Sequence, residues 1–439
     1  RGGGIGEPSD PMGAEGKYND TTLIKNGIET PMKGYCTDIY FDAAMEFIDE
    51  SINAEKNFFT YIATNAPHGP FHDVPAALYE KYRQVDFSPI LIHKLNEKRL
   101  EKENDKLARI AAMITNIDVN VGRLVEHLES LGVLENTIVI YLNDNGPNSM
   151  RFVGNMRGMK THVDDGGIRS PLLFHWPAKV KSGHRSNLMC AHIDVLPTLL
   201  DACSIESDKT RPIDGRSFLP LLVNDRPDWP NRSLVFQTHR GDKPQLYHHF
   251  ALHNGPWKLV HPSGFGNENF DGEVKLELYN LKQDPRQQNN IAAGKPEVFA
   301  RLKANYESWF EDVSSTRPDN YAPPRIIIGT DYEPKTVLTR QDWRHSQGKP
   351  WARDSNGSWL LEAEKPMAYE IEIIFNYSPP KGKALIKVGN LAQTIDIPAG
   401  QQRGHVRLVD IPQGKTTLSV TADFNGKKQG PHQVILTRQ

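Results

Sequence analysis

Leu107, Ile110, Ile114, Ile117, Val121, Leu124, Leu128 and Leu131 recur in steps of three and four. That spacing puts one apolar stripe on a long amphipathic helix, and Gly132 stands where a C-terminal cap belongs. Ala44, Phe47 and Ile48 give a second helical face over residues 37–50, with Asp38 or Asp42 as its candidate cap. Residues 57–63, "NFFTYIA", read as a buried strand. Residues 136–142, "NTIVIYL", are apolar on both faces, as strands of a helix-covered parallel sheet are. A strand at 170–176 and a helix at 194–203, packed by Val195, Leu199 and Leu200, continue the alternation. The fold class is therefore α/β. Residues 1–35 read as loop, with a hairpin turn at Lys25-Asn26-Gly27.

Beyond about residue 230 the period shortens. "RSLVFQT", "QLYHHFALHN", "PWKLVH" and "LELYNL" predict an antiparallel set, followed by a helix from Pro296 that faces inward through Phe299, Leu302, Tyr306 and Phe310. Residues 316–330 are Pro-rich and read as a linker. From 331 to 439, period-2 strands without intervening helices predict a small β-sandwich. Trp343, Trp351 and Trp359 lie on its approach, where core packing and stacking on sugar rings are both open. The expected organisation is 1–229 α/β, 230–315 antiparallel subdomain with a helix, 316–330 linker and 331–439 sandwich.

The 439 residues carry Lys+Arg 52 against Asp+Glu 54, a formal charge of -2. Such a balance gives no general attraction to nucleic acid, so any anion must be held by local groups. No run of about 18 apolar residues occurs, and no membrane span is predicted. Cys36, Cys190 and Cys203 match neither a zinc pattern nor a disulfide framework. The opening Arg1-Gly2-Gly3-Gly4 has no initiator Met and no leader pattern, which reads as a piece cut from something longer.

Asp144 and Asn145 follow the strand at 136–142. A carboxylate and an amide at a strand end suit a hard cation, while Asn145-Gly146 is equally a turn signal needing no ligand. Lys160, in "MRGMK", is suited to neutralising phosphate or sulfate oxygens, or is a solvated surface lysine. "DDGGIRSP" then predicts a tight, ordered loop. His68 sits between Pro67 and Pro70, which restrict its backbone. It reads either as a proton donor to a leaving oxygen or as a structural hydrogen-bonder.

In this order, "NAPHGPF", "NDNG", "MRGMKTHVDDGGIRSPLLFHWPAKV", "HIDVLPTLLDAC", "DGRSFLPLL", "WKLV" and "LYNLKQDPRQQNNIA" resemble the bacterial type I sulfatases of the alkaline-phosphatase superfamily. The resemblance spans roughly residues 1 to 312. It implies a mixed sheet flanked by helices and a Ca2+ ion, ahead of Mg2+, held by Asp144 and Asn145. It places Lys160 on the sulfate and His68 near the ester oxygen. The reaction implied is hydrolysis of a sulfate ester, on sulfated carbohydrate, by a formylglycine nucleophile in a periplasmic or secreted enzyme. Candidates for substrate contact are His162, close after Lys160, and His239 and Arg240 in "FQTHRGDKPQLYHH", for which surface solvation is the alternative.

Two departures stand out. Asp165 replaces the Glu common before Gly-Gly-Ile-Arg, with a support role expected toward Arg169. Cys36 is followed by Thr37 rather than by the Pro-Ser-Arg of the family's C-x-P-S-R motif, and no other position carries that motif. Ca2+ takes roughly six to eight oxygens, more than Asp144 and Asn145 supply. The expectation is thus a chain inactive alone, with its nucleophile and remaining metal ligands upstream. The rival readings are a phosphodiesterase or phosphonate hydrolase of the same superfamily, and a non-catalytic carbohydrate-binding protein.

Overall fold

The computed structural model describes residues 10–11, 14, 16–149, 151–208, 210–224, 228–238, 241, 243–266, 269–316, 323–347 and 352–439. The chain runs through β1 (Thr22–Lys25), β2 (Ile28–Pro31), α1 (Cys36–Asn53), α2 (Ala76–Tyr82), α3 (Glu97–Ser130), β3 (Val139–Leu142), α4 (Asp165–Ile168) and β4 (Leu172–His175). Next come α5 (Val195–Ala202), α6 (Leu219–Val223), β5 (Ser233–Gln237), β6 (Phe250–Asn254), β7 (Trp257–His261), β8 (Glu277–Asn280) and α7 (Pro296–Ser314). It divides into two compact units, one of residues 1–85, 101–121 and 323–439, the other of 86–100 and 122–322.

In the first unit, β1 and β2 form the expected hairpin, pairing Lys25 with Ile28 around Asn26-Gly27. Both loop residues are left-handed, at φ 51 and 82, as a two-residue hairpin loop of this kind requires. Helix α1 buries Phe41, Ala44 and Ile48 but turns Phe47 outward, 45% exposed. Neither aspartate caps it: Tyr35 is the N-cap, without a side-chain bond. Asp38 instead lies in the first turn, where its Oδ1 accepts from Nδ2 of Asn116 at 2.8 Å and of Asn120 at 2.7 Å. Asp42 lies past the free N–H groups, inside the helix. Helix α3 begins ten residues before its apolar stripe because Asn96 Oδ1 accepts the Arg99 N–H at 3.0 Å, a side-chain cap.

Residues 57–63 are not a strand; Phe59 and Tyr61 are 75% and 80% exposed. An apolar run predicts burial, but a strand also needs a neighbour to take its N–H and C=O groups, and none of the described residues pairs with this one.

The rest of the first unit is all β: β9 (Ile326–Ile328), β10 (Lys335–Thr339), β11 (Arg344–Gln347), β12 (Asn356–Ala363), β13 (Met367–Ile374) and β14 (Gly382–Val388). Then follow β15 (Leu391–Ile397), β16 (Arg403–Ile411), β17 (Gly414–Phe424), β18 (Lys427–Gln429) and β19 (Gln433–Arg438). One sheet is ordered β10-β19-β13-β16 and the other β11-β12-β17-β14-β15. Strict alternation puts Trp359 and Leu361 of β12, Ile371 and Ile373 of β13, and Leu418 and Val420 of β17 into one core. Strand β9 pairs parallel with β12, so residues 326–328 of the expected linker belong to the sheet. Trp343 and Trp359 are core, 5% and 0% exposed, which removes them as sugar platforms; Trp351 lies outside the described residues.

In the second unit β5-β6-β7-β8 form an antiparallel meander. Helix α7 begins at Pro296 and packs on it through Leu302 and Tyr306, whose ring stacks on Phe250 with centroids 3.5 Å apart. Strand β3 pairs with β4, and the pairing is antiparallel rather than the parallel one its two apolar faces suggested. Apolarity sets burial, not the direction of the neighbour. Helix α5 buries Thr198 rather than its leucines, which are half-buried or exposed; Thr198 Oγ1 donates to Asp194 O at 2.6 Å.

Trp359→Ala removes the largest fully buried side chain of the sandwich together with its Nε1–H bond to Thr339 O at 2.7 Å. Urea unfolding should show this unit destabilised by about 3–5 kcal/mol.

Candidate functional site

Asp144 and Asn145 leave the end of β3 as the sequence places them. Asp144 is exposed, and its Oδ1 accepts the N–H of Asn145 at 2.8 Å. The bland turn reading requires left-handed residues, yet neither Asn145 nor Gly146 has a positive φ. Gly146 is needed for another reason. A Cβ there would sit 1.9 Å from the carbonyl oxygen of Gly166, so the backbone of α4 lies directly against it.

The contact is reciprocal. Gly146 N–H donates to Gly167 O at 2.8 Å, Lys160 N–H to Pro147 O at 2.9 Å, and Gly166 N–H to Arg157 O at 2.7 Å. The strand end and the 157–167 loop are thereby one hydrogen-bonded unit, bringing Asp144, Asn145, Lys160 and His162 into one neighbourhood. Lys160 is half-buried and makes no salt bridge among the described residues. His162 is 42% exposed, with Nδ1 3.9 Å from Asp164 Oδ2.

Beneath this loop lies a charged network the sequence reading missed. Lys258, the second residue of β7, has a fully buried side chain; its Nζ donates to Asp165 Oδ1 at 2.7 Å and to Gln287 Oε1 at 3.2 Å. His253 Nε2 lies 3.2 Å from the same carboxylate oxygen. Beside it, Arg157 donates to Asp164 at 2.9 Å, Glu277 at 3.0 Å and Tyr279 at 3.1 Å. Asp165 therefore does not seat the Arg169 side chain as expected. Arg169 is exposed and meets Asp165 through the backbone, its N–H donating to Asp165 O at 2.8 Å. Burial pushes the Asp165 carboxyl up, but the close approach of His253 and the charge of Lys258 outweigh it and hold the group well below the usual carboxylate range. Burial likewise holds His253 and Lys258 below their ordinary values.

His68 belongs to the first unit. Its N–H donates to Asn65 O at 3.0 Å, and its carbonyl accepts Tyr18 OH at 2.7 Å. Since Nδ1 faces Gly69 O at 2.9 Å, an acceptor only, Nδ1 carries a proton. The atom left to take up or give a proton is Nε2. His239 and Arg240 lie outside the described residues.

Asp144 and Asn145 offer a carboxylate and an amide oxygen side by side, a donor pair that fits one wall of a hard-cation site. Among the described residues no group of three or more His, Cys, Asp or Glu side chains is placed to hold a metal ion. No described helix is long and apolar enough to cross a membrane.

The family model "Sulfatase" matches residues 8–205, and "N-sulphoglucosamine sulphohydrolase, C-terminal" matches 159–312. Together the two models make residues 8–312 sulfatase-family sequence. An uncharacterised sulfatase of Escherichia coli (strain K12), YdeN, is 28% identical over 311 residues, 65% of this chain and 52% of that protein. The N-acetylglucosamine-6-sulfatase of Bos taurus is 29% identical over 370 residues, 74% of this chain and 64% of that protein. The chain thus spans between half and two thirds of these relatives. A solved structure of BT4656 in complex with its substrate D-glucosamine-2-N,6-O-disulfate shares the fold at TM-score 0.50 and 21% identity, covering 70% of this chain and 76% of that one. Membership of this family points to a divalent metal.

Asp165→Asn leaves Lys258 buried without its counter-charge and should cost about 3–5 kcal/mol in urea unfolding. Because the folded pKa of Asp165 is depressed, its contribution is complete above the unfolded value of about 3.9. It is lost as the pH falls toward the folded value, so the variant should show a flatter acid limb in a pH series of unfolding midpoints.

Proposed function

We propose that these residues form part of an enzyme that hydrolyses sulfate esters of carbohydrate, with a 6-sulfated hexosamine as the substrate class. The observation that carries this reading is the Lys160 loop. The Lys160 backbone is tied to the strand end that carries Asp144 and Asn145, its N–H donating to Pro147 O at 2.9 Å, and its ammonium has no carboxylate partner among the described residues. The names of the relatives, an N-acetylglucosamine-6-sulfatase and a protein bound to a 6-O-sulfated glucosamine, supply the substrate class.

Lys160 binds a sulfuryl oxygen and stabilises the charge that develops there. To His68, whose Nδ1 is occupied, we assign the role of proton donor through Nε2. His162 contacts the sugar, and we assign the same role to His239 and Arg240. Asp144 and Asn145 hold a Ca2+ ion, whose chemistry when bound is to withdraw charge from the sulfate oxygens. The nucleophile is a formylglycine outside residues 1–439, since no C-x-P-S-R motif occurs within them. The setting we propose is the periplasm or the outside of the cell.

The test is sulfate release from N-acetylglucosamine 6-sulfate by the protein as its gene encodes it, with Ca2+ and after chelation. Release that is lost on chelation supports the reading. A reading frame upstream of Arg1 lacking C-x-P-S-R or S-x-P-S-R, with no sulfate released, overturns it. In the active protein Lys160→Ala should lower turnover by about 10²-fold or more, and an unchanged rate removes Lys160 from the mechanism.

A further inference from the structure

Between Lys160 and His162 stands Thr161, at φ 74. A β-branched residue with a left-handed backbone is an outlier that persists only where its surroundings impose it. The turn is closed by the His162 N–H donating to Met159 O at 2.9 Å, and the side chain that reaches the Thr161 carbonyl comes from 88 positions downstream: His249 Nε2 lies 2.8 Å from Thr161 O. The other ring nitrogen, Nδ1, accepts the N–H of Gly264 at 3.0 Å. A carbonyl only accepts and an N–H only donates, so the ring is neutral with its proton on Nε2. His249 is 3% exposed and is itself left-handed, at φ 46, with its own N–H donating to Ser263 Oγ at 2.8 Å. Both nitrogens are thus committed, one to the sheet side of the unit and one to the surface turn.

We propose that His249 is a positioning residue for the sulfate-binding turn: by holding the Thr161 carbonyl it keeps that residue left-handed and so sets how Lys160 and His162 are presented to an anion. The geometry stands without the functional reading; the consequence for sulfate rests on the role given to Lys160. A histidine serving only to fill the core would not need to reach the carbonyl of a strained surface residue. This one joins the 161 turn to the 263–264 loop through a single ring.

The test uses the full chain, deuterated and isotope-labelled, with inorganic sulfate as the probe and the Lys160 and His162 amides as reporters. His249→Gln keeps an N–H where Nε2 was, whereas His249→Asn keeps only an acceptor where Nδ1 was. We expect His249→Gln to bind sulfate within about threefold of the parent and His249→Asn about tenfold more weakly, the size of one hydrogen bond. Adding Thr161→Gly to His249→Asn should restore binding, because glycine holds a left-handed backbone unaided. Equal weakening by Gln and Asn, or no recovery with Thr161→Gly, overturns the proposal. Should the parent bind no sulfate, the functional reading of Lys160 fails, and the Cα and Cβ chemical-shift pattern of Thr161 still decides the positioning role. A left-handed pattern kept in His249→Gln and lost in His249→Asn supports it, and one unchanged in His249→Asn overturns it.

Discussion

The candidate site depends on a buried lysine. Lys258 sits near the start of β7 with no solvent exposure, and a charge so placed is tolerated only if it is paired and hydrogen-bonded. Its partner, Asp165, is carried by a loop whose backbone also contains Lys160 and His162. The meander β5-β6-β7-β8 therefore dictates where the loop lies, and α7, stacked on Phe250 through Tyr306, stiffens the meander from its other elements. Arg157 and Asp164 repeat the arrangement one step away, joined to Glu277 and Tyr279 of β8. Two adjacent aspartates are thus each fixed to a different strand, which leaves the loop little freedom to slide.

Charge alone would place the loop without shaping it. The shape comes from the glycines at 146, 166 and 167, where any Cβ would meet a carbonyl oxygen at 1.9 to 2.5 Å. Close backbone approach makes short N–H to C=O bonds possible between the strand end and the loop, and those bonds carry the geometry of Asp144 and Asn145 directly to Lys160. A loop built this way is pre-organised, its backbone fixed before any ligand arrives.

What could be seen in the sequence follows from how local each interaction is. The α3 stripe, except for Ile114, which is 45% exposed, the Asn26-Gly27 hairpin, the Pro296 start of α7 and the alternating strands after 367 all arise from neighbours within a few residues, and the structure has them. Strand pairing is not local. Residues 57–63 and the direction of β3 were misjudged because an apolar run does not say which segment lies beside it. The partner of Asp165 was hidden likewise, since Lys258 lies 93 positions further on. The available signal was a lysine inside "PWKLVH", where an inward charge demands a counter-charge; it was noticed as a motif and not as a buried ion. For Trp343 and Trp359 the sequence left core packing and sugar stacking open, and burial decides for packing.

Lys160 and Lys258 make the functional contrast clear. Both lie in the same unit and are bound to the same loop, one as a member of it and the other as its anchor. Lys258 is saturated, with a carboxylate and an amide oxygen within 3.2 Å, and burial biases it toward losing its proton. Lys160 is half-buried, its backbone is fixed, and no carboxylate among the described residues neutralises it. That the counter-charges are supplied so fully beneath this loop, while the lysine on it has none among the described residues, is what supports the anion-binding role proposed for Lys160. The left-handed Thr161 next to it is the local cost of presenting the charge in one fixed way.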